Sequence, residues 1–271
     1  MWQMAEPRAL STHQTLRLGA VLAAFWLGAC AHTPPVREAD VPKTPAGFLV
    51  GYLPASELPD SRALLDPPPA AGSPQQLADL AEARAMLDLR DTARWAAARR
   101  DADLSYPNSI SAFSCALGFT PDEARTPHLA MLLRRVVNDA SQSTRAAKDA
   151  WRRERPFLSI GQGTCTPEDE AEMRESPSYP SGHAATGYLW ALILAELAPD
   201  RAEVLLRRGV DYGHSRVVCG VHWPSDVEAS RRVAPAVLAR LRQQPDFVAQ
   251  LNAARSEVQA WRDAALAPSC P

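Results

Sequence analysis

The chain has 271 residues, a formal charge of -2 and 46% hydrophobic residues. That length supports one substantial core, or at most two small ones. A near-neutral charge excludes the basic excess expected of a nucleic-acid binder. Ala and Leu dominate the apolar fraction and favour helix over sheet.

The N-terminus reads as separate from the fold. Arg8 and Arg17 precede an apolar run, Leu18 to Ala29, too short for an ordinary membrane span but suited to a signal-peptide h-region. The run ends in Leu27-Gly28-Ala29-Cys30, which resembles a bacterial lipoprotein lipobox with Cys30 as the lipidated residue. Ordinary cleavage at the small-x-small site Ala29-Cys30-Ala31 and retention as an anchor are the competing fates. Ala31 after Cys30 is similar to the signal for transfer to an outer membrane. Residues 1–29 are thus expected to be a signal peptide. Residues 30–46, Pro-rich and polar, are expected to form a flexible tether.

Helix signals follow. Ser73-Pro74-Gln75-Gln76 places Ser at an N-cap, Pro at the first helical position and Gln two residues later. The stretch to about Arg100 should be helical, with a break near Asp91-Thr92. Thr120-Pro121-Asp122-Glu123 repeats the start signal. Thr126-Pro127 then leads a helix to about Lys148, with Leu129, Leu132, Leu133, Val136 and Val137 on one face. Lys148 falls near a helix C-terminus, and Pro156 marks the departure from helix. Gly161 to Ser178 reads as an acidic loop. Ser181 caps a helix to about Ala198 that is apolar nearly all round and belongs in the core. Further helices are expected over about Arg201 to Tyr212, from Ser225 or Asp226 through the following Val/Ala/Leu-rich stretch, and over about Pro245 to Ala264. No alternating strand pattern and no repeat occurs. The expectation is one all-α domain over 47–266, with 267–271 as a tail.

Three segments carry chemistry. In the first, Lys148 and Arg155 flank a short basic stretch; Arg offers a planar fork to two oxyanion oxygens and Lys a point charge. The plain alternative is a solvated basic cluster, since Arg152 and Arg153 lie between them. In the second, Ser181-Gly182-His183 sits at a helix N-terminus, where free N–H groups and the dipole favour an anion. Gly182 lets the backbone approach the anion, and His183 beside it can donate a proton. The plain alternative is a Ser cap followed by a surface His. In the third, Ser215-Arg216 precedes His222 and Asp226. A carboxylate four residues after an imidazole can fix its tautomer and free the other ring nitrogen to attack; a core His with a capping Asp is the plain alternative. His214 can line the same pocket. With Cys30 removed, Cys115, Cys165, Cys219 and Cys270 remain. An even number in an exported chain suggests two bridges with three connectivities, against buried free thiols. Cys165 with Cys219, and Cys115 with Cys270, is the favoured pairing, because Cys165 and Cys219 lie just beyond segments that converge on one site.

Taken together the segments read K-x6-RP, PSGH and SR-x5-H-x3-D, in that order. This pattern resembles the phosphatidic acid phosphatase type 2 and vanadium haloperoxidase superfamily, and within it the bacterial class A non-specific acid phosphatases. Tyr52-Leu53-Pro54, Leu64 to Pro69, Asp101-Ala102-Asp103-Leu104, Ser178-Tyr179-Pro180 and His222-Trp223-Pro224-Ser225-Asp226 extend the resemblance over roughly residues 50 to 260. It implies a helical-bundle fold and a broad-specificity phosphatase for small phosphate monoesters, inhibited by phosphate or vanadate, with phosphotransfer to alcohols open. It implies that Lys148, Arg155, Ser181, Gly182 and Arg216 bind phosphate. His222 then attacks phosphorus, Asp226 orients it, and His183 protonates the leaving group and activates water. No metal or other cofactor is implied. A homodimer and a periplasmic location, tethered through Cys30 or soluble, are further implications. Alternatives in the same superfamily are a membrane-associated lipid or pyrophosphate phosphatase and a vanadate-dependent haloperoxidase. The chain departs from the pattern at His214 and Pro224. An acidic pH optimum is expected, since His183 must be protonated while His222 is not.

Overall fold

The computed structural model describes residues 33–263. The signal segment, Cys30, Cys270 and the 267–271 tail lie outside them. Among the described residues the protein is all-α, with a single isolated bridge between Lys43 and Leu49. The longer helices and those that carry the site are labelled α1 (Pro74–Ala85), α2 (Ala93–Ala102), α3 (Pro127–Gln142), α4 (Arg145–Trp151), α5 (Pro156–Ile160), α6 (Gly182–Leu197), α7 (Ala202–Val218), α8 (Pro224–Leu241) and α9 (Pro245–Asp263). None of the described helices is long and apolar enough to cross a membrane.

α6 is the axis of the core. It packs against α3, α7 and α8, while α9 covers α3 and α2 covers α7. Its buried residues, from Ala184 through Trp190 to Leu197, lie on nearly every side, as its apolar sequence requires. The Trp190 indole N–H, which would be costly to bury unpaired, donates to the Leu133 carbonyl of α3 at 2.8 Å. Phe113, Trp190 and Tyr212 form a ring cluster with centroids 5.6–6.1 Å apart. Two glycines bring α6 and α7 together. A Cβ on Gly187 would lie 2.1 Å from Tyr212 Cδ1, and one on Gly209 would lie 2.5 Å from the Ala191 Cβ. The helices approach where side chains are absent, which fixes their relative register.

Local chemistry sets the helix ends. Ser73 Oγ accepts from Gln76 N at 3.2 Å, and Ser181 Oγ accepts from Ala184 N at 3.2 Å. The break after α1 is a 3-10 turn, Met86–Leu89, followed by Asp91 at φ 60°. Thr120 to Glu123 does not open a helix. The chain turns there, with Asp122 accepting from Arg125 N at 2.7 Å, because Pro127 disfavours helical backbone at Thr126 and delays the start to residue 127. The long helix expected through Lys148 breaks at Ser143-Thr144, and Lys148 sits on the separate α4. Pro156 opens α5 rather than ending a helix, occupying the first turn where a missing N–H costs nothing. A short helix, Glu170–Glu175, interrupts the expected acidic loop. α7 runs six residues past Tyr212 to Val218, so Ser215 and Arg216 are helical.

The tether reading needs correction from Glu38 onward. Val41 and Leu49 are buried against Met131 of α3. Glu38 pairs with both Lys43 and Arg134, and Thr44 N donates to Phe48 O at 2.7 Å. Two apolar anchors and one carboxylate dock a segment whose overall composition is polar and Pro-rich.

Candidate active site

The site assembles from two chain reversals and the meeting of two helix N-termini. At the end of α4, Arg152 adopts φ 44°, ψ 41°, the left-handed conformation that closes a helix. The chain then runs extended, and side chains alternate sides. Arg152 and Glu154 are exposed, Arg155 is buried and Arg153 half-buried. At the end of α7, Gly220 at φ 79° turns the chain, and the N–H groups of Val221 and His222 both donate to Arg216 O at 3.2 Å. His222 is thereby folded back beside Arg216. The N-termini of α6 and α8 then meet, Ser181 N donating to Asp226 O at 3.2 Å.

One cavity is lined by Lys148, Arg155, Gly182, His183, Arg216 and His222. Asp226 and Ser181 are fully buried behind it. His222 is 3% exposed; its Nδ1 lies 3.3 Å from Asp226 Oδ2 and its Nε2 lies 3.2 Å from Arg155 Nη1. A carboxylate only accepts and a guanidinium only donates. The imidazole therefore carries its proton on Nδ1 and a lone pair on Nε2. Burial, reinforced by Arg155, Lys148 and Arg216, holds His222 well below the usual imidazole value, so it is neutral.

The cations are under strain of burial and mutual repulsion. Arg216 is 3% exposed, and its Nε and Nη1 have no protein partner. Burial pushes its pKa below the ordinary guanidinium value. Arg155 donates through Nε to the carbonyls of Ser176 (2.8 Å) and Met173 (3.0 Å); burial and Arg216 bring it down to about 10. Lys148 Nζ donates to Pro177 O at 2.5 Å, and burial with Arg155 nearby brings it down to about 7. His183 Nε2 lies 2.9 Å from the Ala102 carbonyl, which leaves Nδ1 as the nitrogen able to exchange a proton. Burial and Arg216 push His183 down to about 3. Three cations packed together at one cavity, two of them brought down by burial and a neighbouring cation, describe a receptor for an anion.

The sequence-predicted residues are brought together, with two qualifications. The Ser181 hydroxyl already caps α6, and Ser181 does not line the cavity. His214 sits on the rim, half exposed, with Nε2 3.4 Å from Glu82. Several contributors are not among the predicted site residues, although Asp101 and Ala102 fall in a segment that carries the resemblance. Asp101 of α2 accepts from Ser215 Oγ at 2.6 Å and from Arg208 Nη2 at 2.5 Å, bracing α7. Ala102 supplies a carbonyl to His183. Arg153 and Asp79 form buried ion pairs behind Asp226. Cys165 and Cys219 are disulfide-bonded, as the favoured pairing has it, and tie the loop after α5 to the end of α7. Cys115 is also disulfide-bonded.

The PAP2 superfamily profile matches residues 127–249, the stretch of the bundle that holds Lys148, Arg155, His183, Arg216 and His222. The chain is 42% identical over 207 residues to a non-specific acid phosphatase of Providencia stuartii, covering 76% of this chain and 84% of that one. It is 41% identical over 204 residues to an acid phosphatase of Zymomonas mobilis, covering 75% and 77%. A non-specific acid phosphatase of Salmonella typhimurium is 38% identical over 200 residues, covering 73% and 80%. The chain belongs to the PAP2 superfamily, in its branch of bacterial class A acid phosphatases.

Proposed function

We propose that this acid phosphatase, a phosphoric monoester hydrolase, works through a phosphohistidine on His222. The observation that carries the reading is the pairing of a neutral His222, Nε2 lone pair toward the cavity cations, with a buried Arg216 whose Nε and Nη1 lack partners. A buried donor left unpaired is costly, and a phosphate oxygen satisfies it.

The monoester binds with its non-bridging oxygens on Lys148, Arg155, Arg216 and the N–H groups at the start of α6, including Gly182. Ser181, which does not line the cavity, keeps its hydroxyl on Ala184 N and so holds the start of α6 toward the anion. His222 Nε2 attacks phosphorus in line with the ester oxygen; the N–P bond forms as the P–O bond breaks. Asp226 holds the Nδ1 proton and stabilises the positive charge that develops on the ring. His183 gives its Nδ1 proton to the leaving alkoxide. In the second step His183 takes a proton from water, whose oxygen attacks phosphorus and displaces His222. Burial and three cations depress His183; a bound phosphate dianion offsets the cations and so favours the charged acid when substrate is present. An alcohol in place of that water makes the enzyme a phosphotransferase. The apolar N-terminal run and its Cys30 support export to the periplasm, with lipid tethering as the attachment; both rest on sequence alone.

The test is turnover of p-nitrophenyl phosphate together with rapid quench on ³²P-labelled substrate. The wild type is expected to yield an acid-labile, base-stable labelled protein. His222→Ala is expected to lose both label and steady-state activity by at least about a thousandfold. Near-normal turnover by His222→Ala would remove His222 as the attacking group.

A further inference from the structure

A buried charge network stands directly behind His222. Arg153 is 10% exposed, Asp79 2% and Asp226 0% in their side chains. Arg153 Nη1 donates to Asp226 Oδ1 at 2.6 Å and to Ser225 Oγ at 2.7 Å, and its Nη2 donates to Asp79 Oδ2 at 2.7 Å. Asp79, reaching across from α1, accepts the Ser225 N–H at 3.0 Å and so also secures the start of α8. The Trp223 ring lies against the guanidinium, 5.3 Å from centroid to Cζ. Asp226 divides its labour: Oδ1 faces Arg153, while Oδ2 takes His222 Nδ1 and the Trp223 N–H.

The network holds two carboxylates and one guanidinium away from water. Remove the guanidinium and two like charges converge on Ser225, a situation that drives one of them to take up a proton. A protonated Asp226 is no longer an acceptor-only group. The Nδ1–H of His222 then loses its fixed partner, and the tautomer with a lone pair on Nε2 is no longer enforced. We propose that Arg153, clamped by Asp79, is a positioning residue that keeps the Asp226 carboxylate charged and aimed at His222 Nδ1. This rests on His222 being the attacking group.

Other charged and titratable groups also face Asp226. They are Lys148 from α4, Arg155 from the extended loop, Tyr179 from the turn before α6, and His222 itself. Lys148 and Arg155 lie on the cavity side and are satisfied by substrate. Arg153 is the cation hydrogen-bonded to the carboxylate from behind.

The experiment compares Arg153→Met, Arg153→Lys and the double variant Arg153→Met/Asp79→Asn with wild type. Readouts are kcat and kcat/KM against pH, the inhibition constant of orthovanadate, and the thermal midpoint. For Arg153→Met, kcat is expected to fall about 10- to 100-fold, as for outer partners of a reacting group. Vanadate inhibition should change little, because the cavity cations are intact, and the acid limb should move to higher pH. The double variant removes the competing carboxylate and is expected to bring that limb back toward wild type. Arg153→Lys keeps the charge without the fork and should recover part of kcat. An unmoved acid limb in Arg153→Met, or in the equally uncharged Arg153→Gln if the Met variant does not fold, overturns the proposal. So does a loss of kcat matched by an equal loss of vanadate binding. His222→Ala, run alongside, separates the readings: an active His222→Ala removes the phosphohistidine mechanism. An inactive one with normal Arg153 variants removes only the positioning role.

Discussion

Lys148 is a cation held where its charge is least comfortable. Burial and Arg155 bring it down to about 7, so its proton is present below that value and lost as pH rises through it. The Nζ is one of the three positive groups at the cavity, and its loss weakens the grip on a phosphate dianion. The acidic optimum expected from the two histidines thus has a further cause on its alkaline side. His222, held well below the usual imidazole value by burial and the neighbouring cations, does not set that limb. The inhibition constant of inorganic phosphate is expected to rise above about pH 7, by up to about tenfold per pH unit. Lys148→Arg keeps a full charge at every pH tested. Comparing the two proteins cancels the ligand's own titration, which falls in the same window. The limb should move upward in Lys148→Arg even if absolute affinity drops; a limb that stays in place would exclude Lys148 as its source. Arg153 shows why some site residues were not legible. In sequence it is one of several adjacent basic residues, and the alternation that turns it inward begins at the left-handed Arg152, which no residue pattern announces.

At the scale of elements, the seam between α6 and α7 connects packing to chemistry. His183 lies one turn before Gly187 on α6, and Arg216 lies one turn after Tyr212 on α7. Since Tyr212 occupies the space that a Gly187 side chain would need, the same contact sets the spacing of acid and cation. Gly187→Ala gains up to about 1 kcal/mol of helix propensity, but overpacking against a fully buried ring costs about 1–3 kcal/mol. The net expectation is destabilisation with a raised KM. Gly209→Ala, about 10 Å along α7 from Arg216 by helical rise, should lower the thermal midpoint with a smaller change in KM. An unchanged midpoint in Gly187→Ala would show that the seam can open at no cost. Elements of this kind were largely legible. The Ser73 and Ser181 caps, the apolar circumference of α6 and the amphipathic face of α3 are local patterns, and local patterns survive folding. What failed was competition between local signals: Thr120-Pro121 against Pro127, and Pro156 as a stop against Pro156 as a first residue. The docking of Val41 and Leu49 and the Asp79–Arg153 pairs depend on partners far along the chain, which periodicity does not encode.

For the molecule as a whole, the Cys165–Cys219 bridge closes a loop with a sequence separation of 54 that contains all of α6 and α7. His183 and Arg216 lie within it. In the chain-entropy description a loop of that length restricts the unfolded chain by about 4 kcal/mol, a large part of a typical domain's net stability. Both cysteines are buried, at 1% and 0% exposure, beside Ala98, Val218 and Val221. The Cys165 N–H also donates to Cys219 O at 3.1 Å, so the two segments retain a contact without the bridge. Replacing both with Ala is therefore expected to leave a folded protein whose thermal midpoint falls by roughly 10 °C, at about 2–4 °C per kcal/mol for a domain of this size. Burial makes a second, separable claim. A reductant can reach the sulfurs only when the surrounding cluster opens, so dithiothreitol alone should leave the native activity half-life at 25 °C nearly unchanged. The same reductant in moderate urea should inactivate wild type quickly and leave the inactivation rate of the Cys165→Ala/Cys219→Ala variant unaffected. Equal acceleration of the two proteins would place the sensitive disulfide elsewhere, with Cys115 the next to test.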